Sequence, residues 1–105
     1  MQDKGSQKLK NAVLQLKEGM QQRDSLMLRF NESYPSFIPR LKERFPDLTQ
    51  NDLEFCALVR LNLSYKDIAN VMNIRHQSVF TKKYRITQKM KVEEDTGFQQ
   101  VILET

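Results

Sequence analysis

Two short segments that have the form of helix starts constrain the fold of this chain more than any other feature. They read Thr49-Gln50-Asn51-Asp52 and Ser64-Tyr65-Lys66-Asp67, and each places a hydroxyl residue three positions before an aspartate. A hydroxyl residue and an acid at this spacing can bond reciprocally with the backbone and begin a helix. Apolar residues follow both segments, so the sequence predicts a third helix after Thr49 and a fourth helix after Ser64.

The next segment, residues 75–91, is basic and apolar at the same time. Asn73-Ile74 supplies the turn into it, and it contains six lysines and arginines and no acid. Its apolar residues recur at helical spacing: Val79, Ile86 and Met90. We therefore predict a fifth helix, from about 77 to 90, that buries one side against a scaffold and exposes the other.

Proline and capping signals divide the rest of the chain into further helices. Tyr34-Pro35-Ser36 ends the first helix, because proline disfavours helical geometry in the residue before it. Ser36 can cap a second helix that ends at Phe45-Pro46-Asp47, and Glu93–Thr96 can cap a short sixth helix. Since the chain has only three glycines and three prolines in 105 residues, this pattern predicts an all-α fold.

Residues 1–33 carry apolar side chains at an alternating spacing of four and three. They are Leu9, Val13, Leu16, Met20, Met27 and Phe30, with Arg23 interrupting the pattern at one position. A coiled-coil seam between two chains has this spacing and would make these residues a dimer contact. An amphipathic helix that packs on its own domain shows the same spacing of apolar residues. A third interpretation is a frayed linker. We divide the chain into this N-terminal helix and a domain of residues 34–105.

The charges of the chain are concentrated in one region. Residues 1–33 have a net charge of +2, residues 34–67 of 0, residues 68–92 of +6 and residues 93–105 of −4, which sum to +4. A localised basic patch favours a polyanionic partner. Two short helices joined by a tight turn, of which the second is basic, are typical of a helix-turn-helix that binds duplex DNA.

Helical geometry assigns roles to the residues of the fifth helix and to some beside it. The outward stripe, which we predict to read base edges, consists of Gln77, Phe80, Thr81, Tyr84 and Gln88. The residues that we predict to contact phosphates flank this stripe or begin neighbouring helices: Arg75, Ser78, Lys82, Lys83, Arg85, Lys89, Lys91, Thr49 and Lys66.

An ordered set of positions across residues 34–92 carries a family resemblance. The set comprises Leu48-Thr49, Asp52, Leu63–Ala69, Ile74, Val79, Ile86 and Lys89-Met90. On these positions the segment resembles the LuxR-type helix-turn-helix of bacterial transcription regulators, and its lead-in resembles a C-terminal variant common in Bacteroidetes regulators. The resemblance implies a small helical bundle of the winged-helix-type DNA-binding superfamily without a wing, acting as an output domain that binds inverted repeats as a dimer.

Three positions differ from the usual LuxR pattern. Asn62 stands where the family usually has glycine, and asparagine also enters left-handed turns. Arg75 stands where a serine often caps the recognition helix, so we expect His76 or Gln77 to supply the cap. Phe80 stands where a polar base reader is usual, and it could pack on a thymine methyl group.

The sequence contains no pattern typical of catalysis or of a bound cofactor. It has no nucleophile–base pair, carboxylate dyad or phosphate-cradling glycine loop. Since His76 is the only histidine and Cys56 the only cysteine, we expect no metal site and no internal disulfide. Cys56 is predicted to be a buried small apolar residue. Because no apolar run approaches the roughly 20 residues of a membrane span, we expect a cytoplasmic protein without membrane contact.

The predicted function is therefore sequence-specific binding to double-stranded DNA, as a homodimer, in the output domain of a transcription regulator. Two alternatives remain open. A sigma-factor region that recognises promoters shares this helix-turn-helix pattern, and it would require contact with RNA polymerase. A helical interaction module that no longer binds DNA is the other, because Phe80 and the acidic residues after Val92 favour a protein partner.

Overall fold

The computed structural model describes residues 21–105, and this part of the chain contains six helices and no strand. The helices are α1 (Gln21–Ser33), α2 (Phe37–Arg44), α3 (Gln50–Arg60), α4 (Tyr65–Met72), α5 (His76–Met90) and α6 (Thr96–Glu104). The predicted all-α fold is thereby confirmed for the described residues. None of these helices has both the length and the apolar character that crossing a bilayer requires.

The central helix of the bundle is α3. It packs against α1, α2, α4 and α6, while α5 packs against α4. Six of the eleven residues of α3 are buried, as expected for a helix surrounded by others. One hydrophobic core joins all six helices, and each contributes at least one fully buried side chain: Phe30, Leu41, Phe55, Ile68, Ile86 and Phe98.

Both start signals found in the sequence cap their helices. At α3, the Thr49 hydroxyl accepts the Asp52 N–H at 3.1 Å, and the Asp52 carboxylate accepts the Thr49 N–H at 3.0 Å. These two bonds form a complete capping box. At α4, the Ser64 hydroxyl accepts the Asp67 N–H at 3.1 Å. The predicted starts of the third and fourth helices are therefore confirmed.

The other predicted caps are wrong. Ser36 precedes α2, but its φ of −98° and ψ of −7° are helical, whereas a capping residue needs an extended backbone, and it forms no side-chain cap bond. Arg75 precedes α5 and, as expected, forms no side-chain cap bond. The expected replacements do not cap either: His76 and Gln77 are already the first two residues of α5, and the His76 ring lies against Phe80. Asp95 precedes α6, again without a side-chain cap bond.

Three helices end in the same left-handed turn, and none of the three turns uses glycine. Asn62, Asn73 and Lys91 follow α3, α4 and α5 with φ values of 64°, 58° and 59°. The apolar residue after each one donates its N–H to a carbonyl five residues back, in the pairs Leu63–Leu58, Ile74–Ala69 and Val92–Thr87. This is the Schellman arrangement of helix ends. The expectation that Asn62 enters a left-handed turn is confirmed.

The described part of the predicted coiled-coil seam lies inside the bundle. Met27 and Phe30 are buried in the common core together with Leu26, and Arg23 pairs with Glu54 of α3 at 3.3 Å. Because α3 supplies the surface that their stripe needs, Met27 and Phe30 are core residues and not an exposed dimer contact. The core thus extends beyond the predicted boundary at residue 33. The remaining seam residues lie outside the described part: Leu9, Val13, Leu16 and Met20.

Candidate nucleic-acid interface

The fifth helix, α5, has one buried side and one exposed side. Val79, Ile86 and Met90 are buried in the core, as their spacing predicts. All members of the predicted base-reading stripe are exposed: Gln77, Phe80, Thr81, Tyr84 and Gln88. Since none of the 15 residues of α5 is acidic, the side that faces solvent carries no negative charge of its own.

One edge of this exposed side is basic and faces the start of α3. We call Ser78, Lys82, Arg85 and Lys89 the basic flank. At about 100° per residue, these four residues lie on one side of the base-reading stripe. A groove of about 380 Å³ separates them from the first turn of α3. Six predicted DNA contacts line the groove: Thr49, Ser78, Thr81, Lys82, Arg85 and Lys89.

Asp52 connects the start of α3 to the basic flank. Its carboxylate accepts the Lys82 ammonium at 3.1 Å and the Lys89 ammonium at 2.6 Å, in addition to the Thr49 N–H. Burial would raise the pKa of Asp52, but Lys89, the Thr49 N–H and Lys82 together lower it to about 2. Asp52 is therefore charged near neutral pH, and it holds two predicted phosphate contacts in place beside the groove.

Other predicted phosphate contacts have no such internal partner. Arg85 lines the groove and is exposed, and it forms no ion pair with a residue between 21 and 105. Lys66, Arg75 and Lys91 do not line the groove, but they too are exposed and form no ion pair within residues 21–105. Thr49 uses its hydroxyl oxygen to accept the Asp52 N–H, so its O–H hydrogen stays available for an anion. These groups can bind phosphate oxygens without giving up an existing ion pair.

Lys83 is the exception among the predicted phosphate contacts. Its side chain is buried, its ammonium bonds to Asp95 at 3.3 Å, and it lies 5.7 Å from the ring centroids of Tyr65 and Phe98. Burial would lower the pKa of Lys83, but interactions with Tyr65 and Asp95 outweigh it and raise the pKa. The position of Lys83 does not support phosphate contact. Its ammonium instead stabilises the junction of α5 with α4 and α6.

The opposite edge of the exposed side is aromatic. We call His76, Phe80 and Tyr84, which are spaced four residues apart, the aromatic flank. The Phe80 ring meets the Tyr65 ring of α4 edge-on at 5.0 Å between centroids, and it lies 5.5 Å from the His76 ring. Phe80 is still 48% exposed and Tyr84 51% exposed. Phe80 therefore lies at the side of the base-reading stripe, held against α4, and not at its centre.

Sequence reasoning missed the residues that hold the two flanks. The sequence indicates only a capping role for Asp52 and gives no signal that places Tyr65 or Asp95 at the site. Helical spacing contained one usable signal, because Lys83 follows Val79 by four positions and so lies near the buried side. No local signal could have paired Asp52 with Lys82 and Lys89, which are 30 and 37 residues away in the chain.

The cysteine and the acidic residues offer no further chemistry at this surface. Cys56 is fully buried in α3, which confirms its prediction as a core residue. Burial and the nearby Asp52 raise the pKa of its thiol far above the usual range. Within residues 21–105, no group of three histidine, cysteine, aspartate or glutamate side chains could hold a metal ion.

No protein-family model, curated protein or solved structure matches this chain.

Proposed function

We propose that this chain is a sequence-specific DNA-binding domain in which α4 and α5 form a LuxR-like helix-turn-helix. The supporting observation is the exposed side of α5, which carries no acid and is bordered by the basic flank. A helix of 15 residues is about 22 Å long, and the major groove of B-DNA is about 12 Å wide and admits an α-helix. In the proposed complex α5 lies in this groove.

Two sets of side chains divide the work of binding in this proposal. Gln77, Thr81 and Gln88 offer amide and hydroxyl groups to base edges, and a glutamine can pair bidentately with adenine. Arg85, together with Lys82 and Lys89, offers positive charge to the phosphates along one edge of the groove. Phosphate contacts fix the position of α5 on the duplex, and the polar stripe selects the sequence.

The proposed context is the output domain of a cytoplasmic transcription regulator that acts by binding and not by catalysis. A two-fold dimer would present two α5 helices to half-sites about 34 Å apart. Since Met27 and Phe30 are core residues, the proposed dimer contact falls on residues before α1 or on α6. Leu103 of α6 is 68% exposed and could contribute to such a contact.

Selection of bound sequences from a random duplex pool, followed by affinity measurements at several salt concentrations, tests the proposal. Arg85→Gln is expected to weaken binding to all duplexes alike and to reduce the salt slope by about one. Arg40→Gln is the matched control, because Arg40 is an exposed cation on α2, which packs on α3. Thr81→Ala should instead change the selected sequence and leave the salt slope unchanged.

Two outcomes would overturn this proposal. One is the absence of duplex binding at low salt, and the other is an equal effect of Arg85→Gln and Arg40→Gln. Direct assembly of the chain with RNA polymerase in a pull-down would favour promoter recognition by a sigma-factor region instead.

A second candidate is a helical protein-interaction module. The observation that favours it is the exposed aromatic surface of Phe80 and Tyr84, together with exposed acids at Glu93, Glu94 and Asp95. Such a module would form a stable oligomer or complex in sedimentation experiments and would not bind any duplex at low salt.

A further inference from the structure

We propose that the aromatic flank of α5 recognises the 5-methyl group of thymine in the bound duplex, with Phe80 as the specificity-determining residue. This inference rests on the proposed function and adds to it the kind of base that this part of the helix selects. Phe80 is a side chain without hydrogen-bonding groups that is fixed, half-exposed, at one edge of the base-reading stripe.

The Phe80 ring is pre-organised. Its edge-on contact with Tyr65 at 5.0 Å is a favourable aromatic geometry, and the His76 ring supports it at 5.5 Å. Because Tyr65 belongs to α4 and His76 to α5, these contacts fix the ring relative to both helices. A ring held in this way can bind an apolar group without losing much rotamer freedom at the moment of binding.

The position of the flank favours a base over a protein partner. Phe80 lies in the second turn of α5, and the N-terminal part of a recognition helix is the part that approaches base edges. The chain neighbours of the flanking residues are exposed cations, because Lys66 follows Tyr65 and Arg75 precedes His76. These two cations can complement a polyanion, and Asp95, the acid that bonds Lys83 near the Tyr65 ring, is already paired.

The chemistry of the major groove then leaves one target. Base edges there present hydrogen-bond donors and acceptors, and their apolar feature is the 5-methyl group of thymine. Phe80 can neither donate nor accept a hydrogen bond, so it discriminates by apolar contact alone. Tyr84 lies one turn later, about 6 Å along the helix, and extends the same apolar surface.

Replacing thymine by deoxyuridine tests this inference, because the exchange removes the methyl group and keeps the base pair. Each thymine of the selected duplex is exchanged in turn, and the affinity of the full chain is measured. Burial of one methyl group predicts about a fourfold loss of affinity at one position or two. Phe80→Ala should bind the two duplexes equally at the position that Phe80 reads.

Two further variants separate recognition from folding. Phe80→Gln should also abolish the thymine preference, and because the site is half-exposed the substitution is compatible with the fold, which the melting temperature checks. Gln88→Ala changes a residue at the far end of the stripe and should keep the fourfold difference.

Three other outcomes would overturn this inference, and one of them would also overturn the proposed function. Equal affinity for thymine and deoxyuridine at every position, with salt-dependent duplex binding retained, overturns this inference and leaves the proposed function intact. A preference for single-stranded DNA that Phe80→Ala removes would assign the ring to base stacking and overturn it as well. Absence of any duplex binding overturns both proposals.

Discussion

The two flanks of α5 are attached to the rest of the domain by different forces. On the basic flank, the Asp52 carboxylate of α3 holds Lys82 and Lys89 through ion pairs. On the aromatic flank, the Phe80 ring of α5 packs edge-on against the Tyr65 ring of α4. Ion pairs weaken with salt and with protonation of the carboxylate, whereas the contact between the uncharged rings of Tyr65 and Phe80 depends mainly on apolar packing and ring geometry. The orientation of one helix thus depends on two independent kinds of interaction.

Lys82 and Lys83 illustrate the difference most directly. They are neighbours in the chain, yet successive residues of a helix point about 100° apart. Lys82 turns to the groove and pairs with Asp52, while Lys83 turns to the core and pairs with Asp95. A count of cations in this segment therefore overstates the charge that is available to a ligand.

The largest effect is expected from Asp52→Asn, which removes the anion of the basic flank. Two ammonium groups lose the buried carboxylate that they share, and removing one partner of a buried pair costs about 3 to 5 kcal/mol in the free energy of unfolding. Because both ammonium groups keep partial contact with water, we expect the low end of this range, about 3 kcal/mol. In a domain of this size such a loss lowers the melting temperature by more than about 10 °C, which thermal unfolding would detect.

Asp47→Asn is the matched control for this change. Asp47 is exposed and pairs with no residue in the described part of the chain, so its substitution should leave the melting temperature nearly unchanged. Equal melting temperatures for the two variants would mean that the basic flank contributes no stability.

An effect of intermediate size is expected from acid, through the protonation of Asp52 on the basic flank. The pKa of Asp52 is lowered in the folded state from 3.8 to about 2, so its contribution is present above the unfolded pKa and is lost as pH falls through about 2. The shift corresponds to about 2 kcal/mol. Denaturant unfolding measures this contribution as the difference in the free energy of unfolding between the unaltered chain and Asp52→Asn. The difference should shrink as the pH falls from about 5 to about 2. A constant difference would contradict the lowered pKa.

The smallest effect is expected from Lys83→Met, next to the aromatic flank. Methionine keeps an apolar stem in the buried position, and the lost partner, Asp95, is almost fully exposed. The free energy of unfolding should therefore change by less than about 1 kcal/mol. In binding experiments the salt slope should stay unchanged, in contrast to Arg85→Gln. A reduced slope would mean that the Lys83 ammonium leaves its buried site to contact phosphate.

Much of the fold could be predicted because its signals are local. The capping pairs Thr49–Asp52 and Ser64–Asp67 lie within one helical turn, and the buried side of α5 follows from the spacing of Val79 and Ile86. Asn62 was interpreted correctly because a left-handed turn is a property of one residue and its neighbours. These features depend on short stretches of chain.

What could not be predicted depends on distant partners. The spacing of Met27 and Phe30 is the same whether a stripe is covered by a second chain or by α3 of its own chain. The charge of Lys83 suggested solvent, although its position on the helix favoured burial. Whether Lys82 and Lys89 are free or paired depends on Asp52, which only the folded chain brings near them.

The burial of Cys56 has a practical consequence for measuring the dynamics of this domain. It is the sole cysteine of the chain, it lies in the helix that packs against four others, and its thiol is fully shielded and protonated. A thiol reagent can modify it only after α3 has opened, so the labelling rate reports how often the bundle opens. The domain thus carries its own single-site probe of cooperative opening, and no residue has to be introduced to use it.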